Sequence, residues 1–304
     1  DIWLWLLLVY KKIILILIQL LGGLGNQMFQ YALGRHLSLI NNTSLYLDTC
    51  YLSDRKPKKN FTFRTFDLDI FNIAASIAPV SISKQYGLTK PAFTKLINRI
   101  IQPKPLFFIP EKKFTFDATV LHLPDNVYLN GYWQSEKYFI TIQEIIRKDF
   151  SLKLPLPVHV QKLQSAIENS NAVCLHVRRG DFVKVKMHGT LGIDYYGKAA
   201  QLMCEKITNP IFYIFSDDIS WCKKNIVLPG NIVYIADEFA VEKSRGHFSL
   251  MMACKHFIIP NSSFGWWAAW LNTNPDKIVM APKVWFHNSS WDTKDILPLN
   301  WIRL

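Results

Sequence analysis

From residue 173 onward, short apolar runs alternate with segments whose apolar residues recur at helical spacing. Runs at 173–177, 211–216, 232–235, 256–260 and 278–281 read as strands. The segments 195–207, 218–225, 264–271 and part of 239–255 read as the helices between them. Strands separated by helices pair in parallel, with helices covering both faces of the sheet. This alternation commits the chain to an α/β fold. It also says where chemistry belongs, because ligands of such sheets sit beyond the carboxyl ends of the strands.

The first half follows the same pattern more loosely. A strand over 13–21 ends at Gly22-Gly23, and a helix over 26–39 places Met28, Phe29, Ala32, Leu33 and Leu37 on one face. A strand at 44–48, a strand and turn at 128–134 and a helix at 136–149 follow. Residues 52–116 are irregular, basic and rich in Pro and Phe, and receive no assignment. Pro155 and Pro157 interrupt the chain near 152–157. The expected organisation is therefore an apolar extension at 1–12, a first domain at 13–154 and a second at 155–304.

Half of the residues are apolar and 19% are charged, a composition that builds a core and excludes a disordered, collagenous or coiled-coil chain. The net charge of +12 favours anionic partners such as phosphates or an acidic membrane face, although it also fits a merely soluble basic surface. Five widely spaced cysteines without a C-x-x-C pair argue against a disulfide framework or a structural zinc site. The window 2–21 is apolar, but Lys11 and Lys12 lie in its middle. Each would cost about 2.5–3.5 kcal/mol at the centre of a membrane span. A cytoplasmic protein, with peripheral contact to an anionic inner membrane face, is the expectation.

Four strand ends carry candidate chemistry. At Gly22-Gly23-Leu24-Gly25-Asn26, glycines allow close backbone approach and a helix start offers unpaired N–H groups. An ordinary tight turn would look the same, and so would a dinucleotide fingerprint with Asp48 on the ribose, except that Met28 occupies its third glycine position. At His176-Val-Arg178-Arg179-Gly180-Asp181, strand alternation puts His176 and Arg178 on one face. Two guanidiniums at a strand end need an anion or a carboxylate, and a diphosphate suits them. Pairing with Asp181 is the plainer alternative. In Ser216-Asp217-Asp218 one residue caps the next helix and a carboxylate is left for a ribose or base edge. In Asn261-Ser262-Ser263-Phe264, capping needs one hydroxyl; the other hydroxyl and the helix-start amides can hold phosphate. The tryptophans that follow read as core. Asp67-Leu-Asp69 has D-x-D spacing but lies in the irregular segment and reads as solvated.

Taken together, GGLGNQMFQYALGRHL (22–37), GYWQSEKYF (131–139), HVRRGDF (176–182), FSDD (215–218) and HFSLMMACKHFIIPNSSFGWWAAWLN (247–272) resemble the α-1,2-fucosyltransferases. The resemblance covers most of residues 13–290 and is thin over 52–116. It implies a GT-B-like enzyme, with two facing Rossmann-like domains built on parallel sheets. It implies GDP-L-fucose as donor, a galactose-terminated glycan as acceptor, inversion at the anomeric carbon, and no metal or other cofactor; separately, the scattered charge and the lack of an RNP1-like stretch argue against a nucleic acid partner. On that reading Arg178 neutralises the leaving diphosphate, with Arg179 assisting or pairing with Asp181. Ser262, Ser263 and the amides near Phe264 hold the phosphates. Gly23, Gly25 and Asn26 reach in from the other domain, and His176 and Asp217 complete the donor site. Asp181 is the best candidate general base, with His188, Asp194 and Glu242 as alternatives. The rival readings are a dinucleotide-dependent oxidoreductase, a polyanion binder and a lectin.

Overall fold

The computed structural model describes residues 15–55, 62–79, 107–180, 189–286 and 291–304. Its first sheet grows around β1 (Leu15–Gln19), whose Leu15, Ile16, Leu17 and Ile18 are buried because strands flank it on both sides. Leu17 pairs with Tyr46 of β2 (Ser44–Asp48) on one side and with Tyr128 of β5 (Val127–Asn130) on the other. The edges are β3 (Ser76–Ile77) and β4 (Phe107–Pro110), giving the all-parallel order β3-β2-β1-β5-β4. Both edge strands fall in the segment left unassigned above. They are short and largely exposed, so they carry no alternating pattern to read.

Between β1 and β2 runs α1 (Leu24–Ile40), which starts two residues before the expected helix, with Gly23 as its N-cap. The short α2 (Cys50–Ser53) follows β2. The helix expected over 136–149 is broken: two 3-10 turns at Glu136–Tyr138 and Ile140–Ile142 precede α3 (Gln143–Asp149). The physical reason is tertiary. The buried ring of His36 donates from Nδ1 to the Tyr138 carbonyl at 2.6 Å, taking the acceptor that a continuous helix needs. Its Nε2 accepts from the Thr141 hydroxyl at 3.2 Å.

After Pro155 and Pro157 the chain enters α4 (Val158–Glu168), an element not anticipated above, and then the second sheet. Its strands are β6 (Ala172–Val177), β7 (Ile211–Ser216), β8 (Asn231–Tyr234), β9 (His256–Ile258), β10 (Val279–Ala281) and β11 (Ile302–Arg303). They are all parallel, in the order β11-β10-β9-β6-β7-β8. The helices α5 (Ile193–Lys206), α6 (Ile219–Asn225), α7 (Arg245–Ala253) and α8 (Ser263–Leu271) connect them as the alternation required.

The two sheets are joined through α1 and α8. Phe29 of α1 lies 4.5 Å and 4.9 Å, ring to ring, from Trp266 and Trp267 of α8. Trp267 Nε1 donates to the Gly25 carbonyl at 2.9 Å. Trp266, Trp267 and Trp270 are buried, so the tryptophans are core, as read from the sequence. Arg147 of α3 donates to the Leu271 carbonyl at 2.5 Å and lies 4.7 Å from the Trp270 ring, placing a cation at the carboxyl end of α8.

Candidate active site

The second sheet reverses its strand order between β6 and β9, whereas in the first sheet the chain crosses from β3 to the far edge at β4 and returns through β5 to lie beside β1. A crevice opens at such a reversal because the connections leave in opposite directions. Here the crevice between β6 and β9 opens into a cavity of about 920 Å³ that the loops following β1 and β5 of the first sheet also line. Gly23, Gly25 and Asn26 line it from the first sheet, and His176, Arg178, Asp217, Ser262, Ser263 and Phe264 from the second.

The glycine turn lines the cavity and also makes a helix–helix contact. A Cβ on Gly25 would lie 2.4 Å from the Ser263 carbonyl carbon and 2.7 Å from the Phe264 nitrogen. The missing side chain therefore lets the starts of α1 and α8 touch. Gly22 has φ +74°, a left-handed conformation that suits glycine. Asn26 is fixed by Gln134, whose Nε2 donates to Asn26 Oδ1 at 2.7 Å.

The result is a concentration of positive potential. The first turn of each helix leaves N–H groups without intrahelical acceptors, and each helix start carries about half a positive charge. Ser262 is the N-cap of α8, yet its side chain makes no cap hydrogen bond. Arg178 lines the same cavity, its charge balanced by a carboxylate. Its Nη1 pairs with Asp217 Oδ2 at 3.0 Å, and Asp217 Oδ1 accepts the Arg179 N–H at 2.9 Å. Asp217 thus shapes the 178–180 turn, and a Cβ on Gly180 would strike its carboxylate at 2.6 Å.

Strand alternation separates the two arginines. Arg179 points to Asp218, Nε to Oδ2 at 3.3 Å, and its guanidinium stacks 3.7 Å from the Trp221 ring centroid. It is not among the residues lining the cavity. Asp218 also caps α6, accepting from the Trp221 N–H at 3.1 Å. His176 is buried, its Nδ1 has no hydrogen-bond partner, and a Cβ on Gly265 would approach that nitrogen to 2.6 Å. Burial, then the charge of Arg178, then His247, hold its pKa down to about 3, so the imidazole is neutral at ordinary pH.

Asp181 and His188 lie outside the described residues. Asp194 and Glu242 are described but do not line the cavity. The residues that sequence reasoning missed come mainly from the irregular segment. Arg55, Arg64 and Asp67 line the cavity, together with Gln134 and Lys243. Asp67 is not the solvated carboxylate expected: it is half-buried, accepts from the Thr65 hydroxyl at 2.6 Å, and burial raises its pKa. Asp69 is exposed and pairs with Lys243 at 2.6 Å. Gln134 stood inside the GYWQSEKYF block, the one advance signal for any of these. Among the described residues no group of three or more His, Cys, Asp or Glu could hold a metal ion.

The dinucleotide alternative fails on Asp48. That carboxylate is buried, accepts from the Tyr128 hydroxyl at 2.6 Å and the Cys50 N–H at 2.9 Å, and does not line the cavity where a ribose would sit.

Residues 106–304 match the family described as Glycosyl transferase family 11. The Alpha-1,2-colitosyltransferase of Escherichia coli is 33% identical over 95% of this chain and 99% of its own length. The Galactoside alpha-(1,2)-fucosyltransferase 1 of Sus scrofa is 26% identical over 82% of this chain and 63% of its own length. Among solved structures, a mutant of Arabidopsis thaliana FUT1 in complex with GDP superposes with a TM-score of 0.51 at 10% identity, covering 88% of this chain and 70% of that one. The two parallel-sheet domains have the GT-B-like fold. The chain is a glycosyltransferase and belongs to Glycosyl transferase family 11.

Proposed function

We propose that this protein transfers L-fucose from GDP-fucose to the 2-hydroxyl of a terminal galactoside, with inversion and without a metal ion. The observation that carries the reading is the convergence of Arg178, the start of α8 and the start of α1 on one cavity. In this reading residues 13–154 form the acceptor side and 155–304 the donor side. Arg178 grips the diphosphate, and Asp217 holds the guanidinium in position. The Ser262 and Ser263 hydroxyls and the first amides of α8, near Phe264, bind the phosphate oxygens. Preorganised positive charge where negative charge develops is the largest expected catalytic contribution. The C–O bond to the sugar breaks early, leaving an oxocarbenium-like centre, and the galactose hydroxyl attacks from the opposite face. Asp181 accepts its proton.

The similarity to a colitosyltransferase favours one second reading, in which the sugar transferred is colitose instead of fucose. The net charge of +12 supports work at an anionic cytoplasmic membrane face. No described helix is long and apolar enough to cross a membrane. The test is incubation with GDP-fucose, lactose and EDTA, followed by NMR assignment of the product. An α-1,2-fucosylated product is expected. No product with EDTA, restored by a divalent metal, would refute the metal-free part; no product under any condition would refute the assignment.

A further inference from the structure

The strand order divides the cavity mouth into two chemically distinct flanks. The phosphate-binding groups follow β6 and β9 at the centre of the second sheet. On one flank, beyond β7 and β8, lie Ser216, Asp217 and Asp237, whose oxygens suit the N–H edge of a base or a ribose. On the other flank, beyond β10, lie Trp285 and Phe286. The first sheet meets this second flank from its own β5–β4 side, with Tyr132 following β5 and Phe114 following β4. Aromatic rings from both halves thus gather at one end of the cavity.

The rings form a built surface rather than a loose collection. Phe114 lies 6.3 Å from Tyr132 with an interplanar angle of 16°. It lies 4.7 Å from Trp291 and 5.2 Å from Phe286, and Phe286 stands perpendicular to Trp291 at 5.1 Å. Asp295 ties the two contributing segments together, accepting from the Phe116 N–H at 3.0 Å and from Lys137 Nζ at 2.5 Å. Glu111 fixes Tyr132 by accepting its N–H at 2.7 Å. On the inner side, Asn261 donates to the Trp285 carbonyl at 3.0 Å, joining the aromatic wall to the loop that begins α8. Phe114, Tyr132, Phe286 and Trp291 all keep part of their surface open.

We infer that Phe114, Tyr132, Phe286 and Trp291 form the acceptor subsite, stacking the apolar C–H face of a pyranose ring and so orienting its hydroxyl toward the donor sugar. The inference rests on the transferase reading above and adds the residues that choose the acceptor. A pyranose has one face of C–H groups that suits an aromatic ring, and such a wall gives contact area without requiring polar partners. The phosphate groups at the centre and the oxygen-rich flank beyond β7 and β8 leave the aromatic flank to the second substrate.

The test uses Trp291→Ala and Phe114→Ala, with Trp291→Tyr as the conservative variant and lactose and GDP as probes. Thermal stabilisation by GDP checks that each variant is folded. The expected result is a rise of about tenfold in the lactose KM with a fall in kcat, as the acceptor hydroxyl loses its orientation, the GDP Kd within about twofold, and recovery of most of the loss in Trp291→Tyr. An unmoved lactose KM in folded variants would overturn the subsite. So would a raised GDP Kd, which would make the rings a base platform. If the wild type proves not to fucosylate lactose, the galactoside assignment fails separately. Saturation-transfer NMR with a panel of free methyl pyranosides then reads the subsite directly. A transfer signal that disappears in both alanine variants supports it, while an unchanged signal, or no signal to any pyranoside in the wild type, overturns it.

Discussion

Replacing Gly25 with alanine tests whether the starts of α1 and α8 are held together as the structure has them. The added methyl would sit 2.4 Å from the Ser263 carbonyl carbon and 2.6 Å from its oxygen. Ordinary carbon contacts need about 3.5–4.0 Å, so the two helix starts must separate by about 1 Å. Both colliding groups are backbone and cannot rotate away. The Trp267 Nε1–Gly25 carbonyl bond, now 2.9 Å, is stretched or lost. Overpacking costs about 1–3 kcal/mol and the buried hydrogen bond about 1 kcal/mol more. A loss of about 2–4 kcal/mol lowers Tm by about 4–16 °C at about 2–4 °C per kcal/mol. Because a 1 Å misplacement can cost on the order of a hundredfold in rate, kcat/KM should fall by about 10–100-fold. Gly23→Ala is the matched control: its Cβ would meet only the flexible Arg64 side chain at 3.9 Å, and its φ of −83° suits alanine. Differential scanning calorimetry with steady-state kinetics reads both variants. A Gly25→Ala protein with Tm within 1 °C of wild type and unchanged kcat/KM would show that the helix starts do not meet.

Two further outcomes follow from the same geometry. Arg179→Ala removes the stack on Trp221 and the pair with Asp218, both outside the cavity lining, so it should lower stability by about 1 kcal/mol while kcat/KM stays within threefold; a hundredfold loss of kcat/KM would return Arg179 to the donor site. His176 protonates near pH 3 when folded but near 6.5 when unfolded. Stability is therefore intact above about pH 6.5 and declines toward pH 3, because the unfolded chain binds the extra proton. This one group contributes about 1.4 kcal/mol per pH step to that decline. Urea unfolding across pH should show a shallower slope for His176→Asn than for wild type, and equal slopes would contradict the buried neutral imidazole.

The strand ends were legible because parallel sheets place ligands there whatever the side chains do. Strand alternation put His176 and Arg178 on one face, but the sequence kept Arg179 beside them, and only the fold turns it to Asp218 and Trp221. What the sequence hid is tertiary in origin. Nothing local marks Gly25 as a contact for a helix nearly 240 residues away. Nothing within 136–149 says that His36 will take the Tyr138 carbonyl and break the helix. Arg55, Arg64 and Asp67 sit in a segment without periodicity, and only the fold brings them to the cavity. The aromatic wall is scattered over Phe114, Tyr132, Phe286 and Trp291, positions that converge only when the two sheets face each other.

Isothermal titration of Arg178→Ala with GDP and, separately, with guanosine isolates the phosphate contribution of that guanidinium. If Arg178 and the start of α8 share one diphosphate, the variant binds GDP about 10–100-fold more weakly, the loss of one charge-assisted pair, while guanosine affinity stays unchanged. Equal weakening of both ligands, or none of either, would place the diphosphate elsewhere.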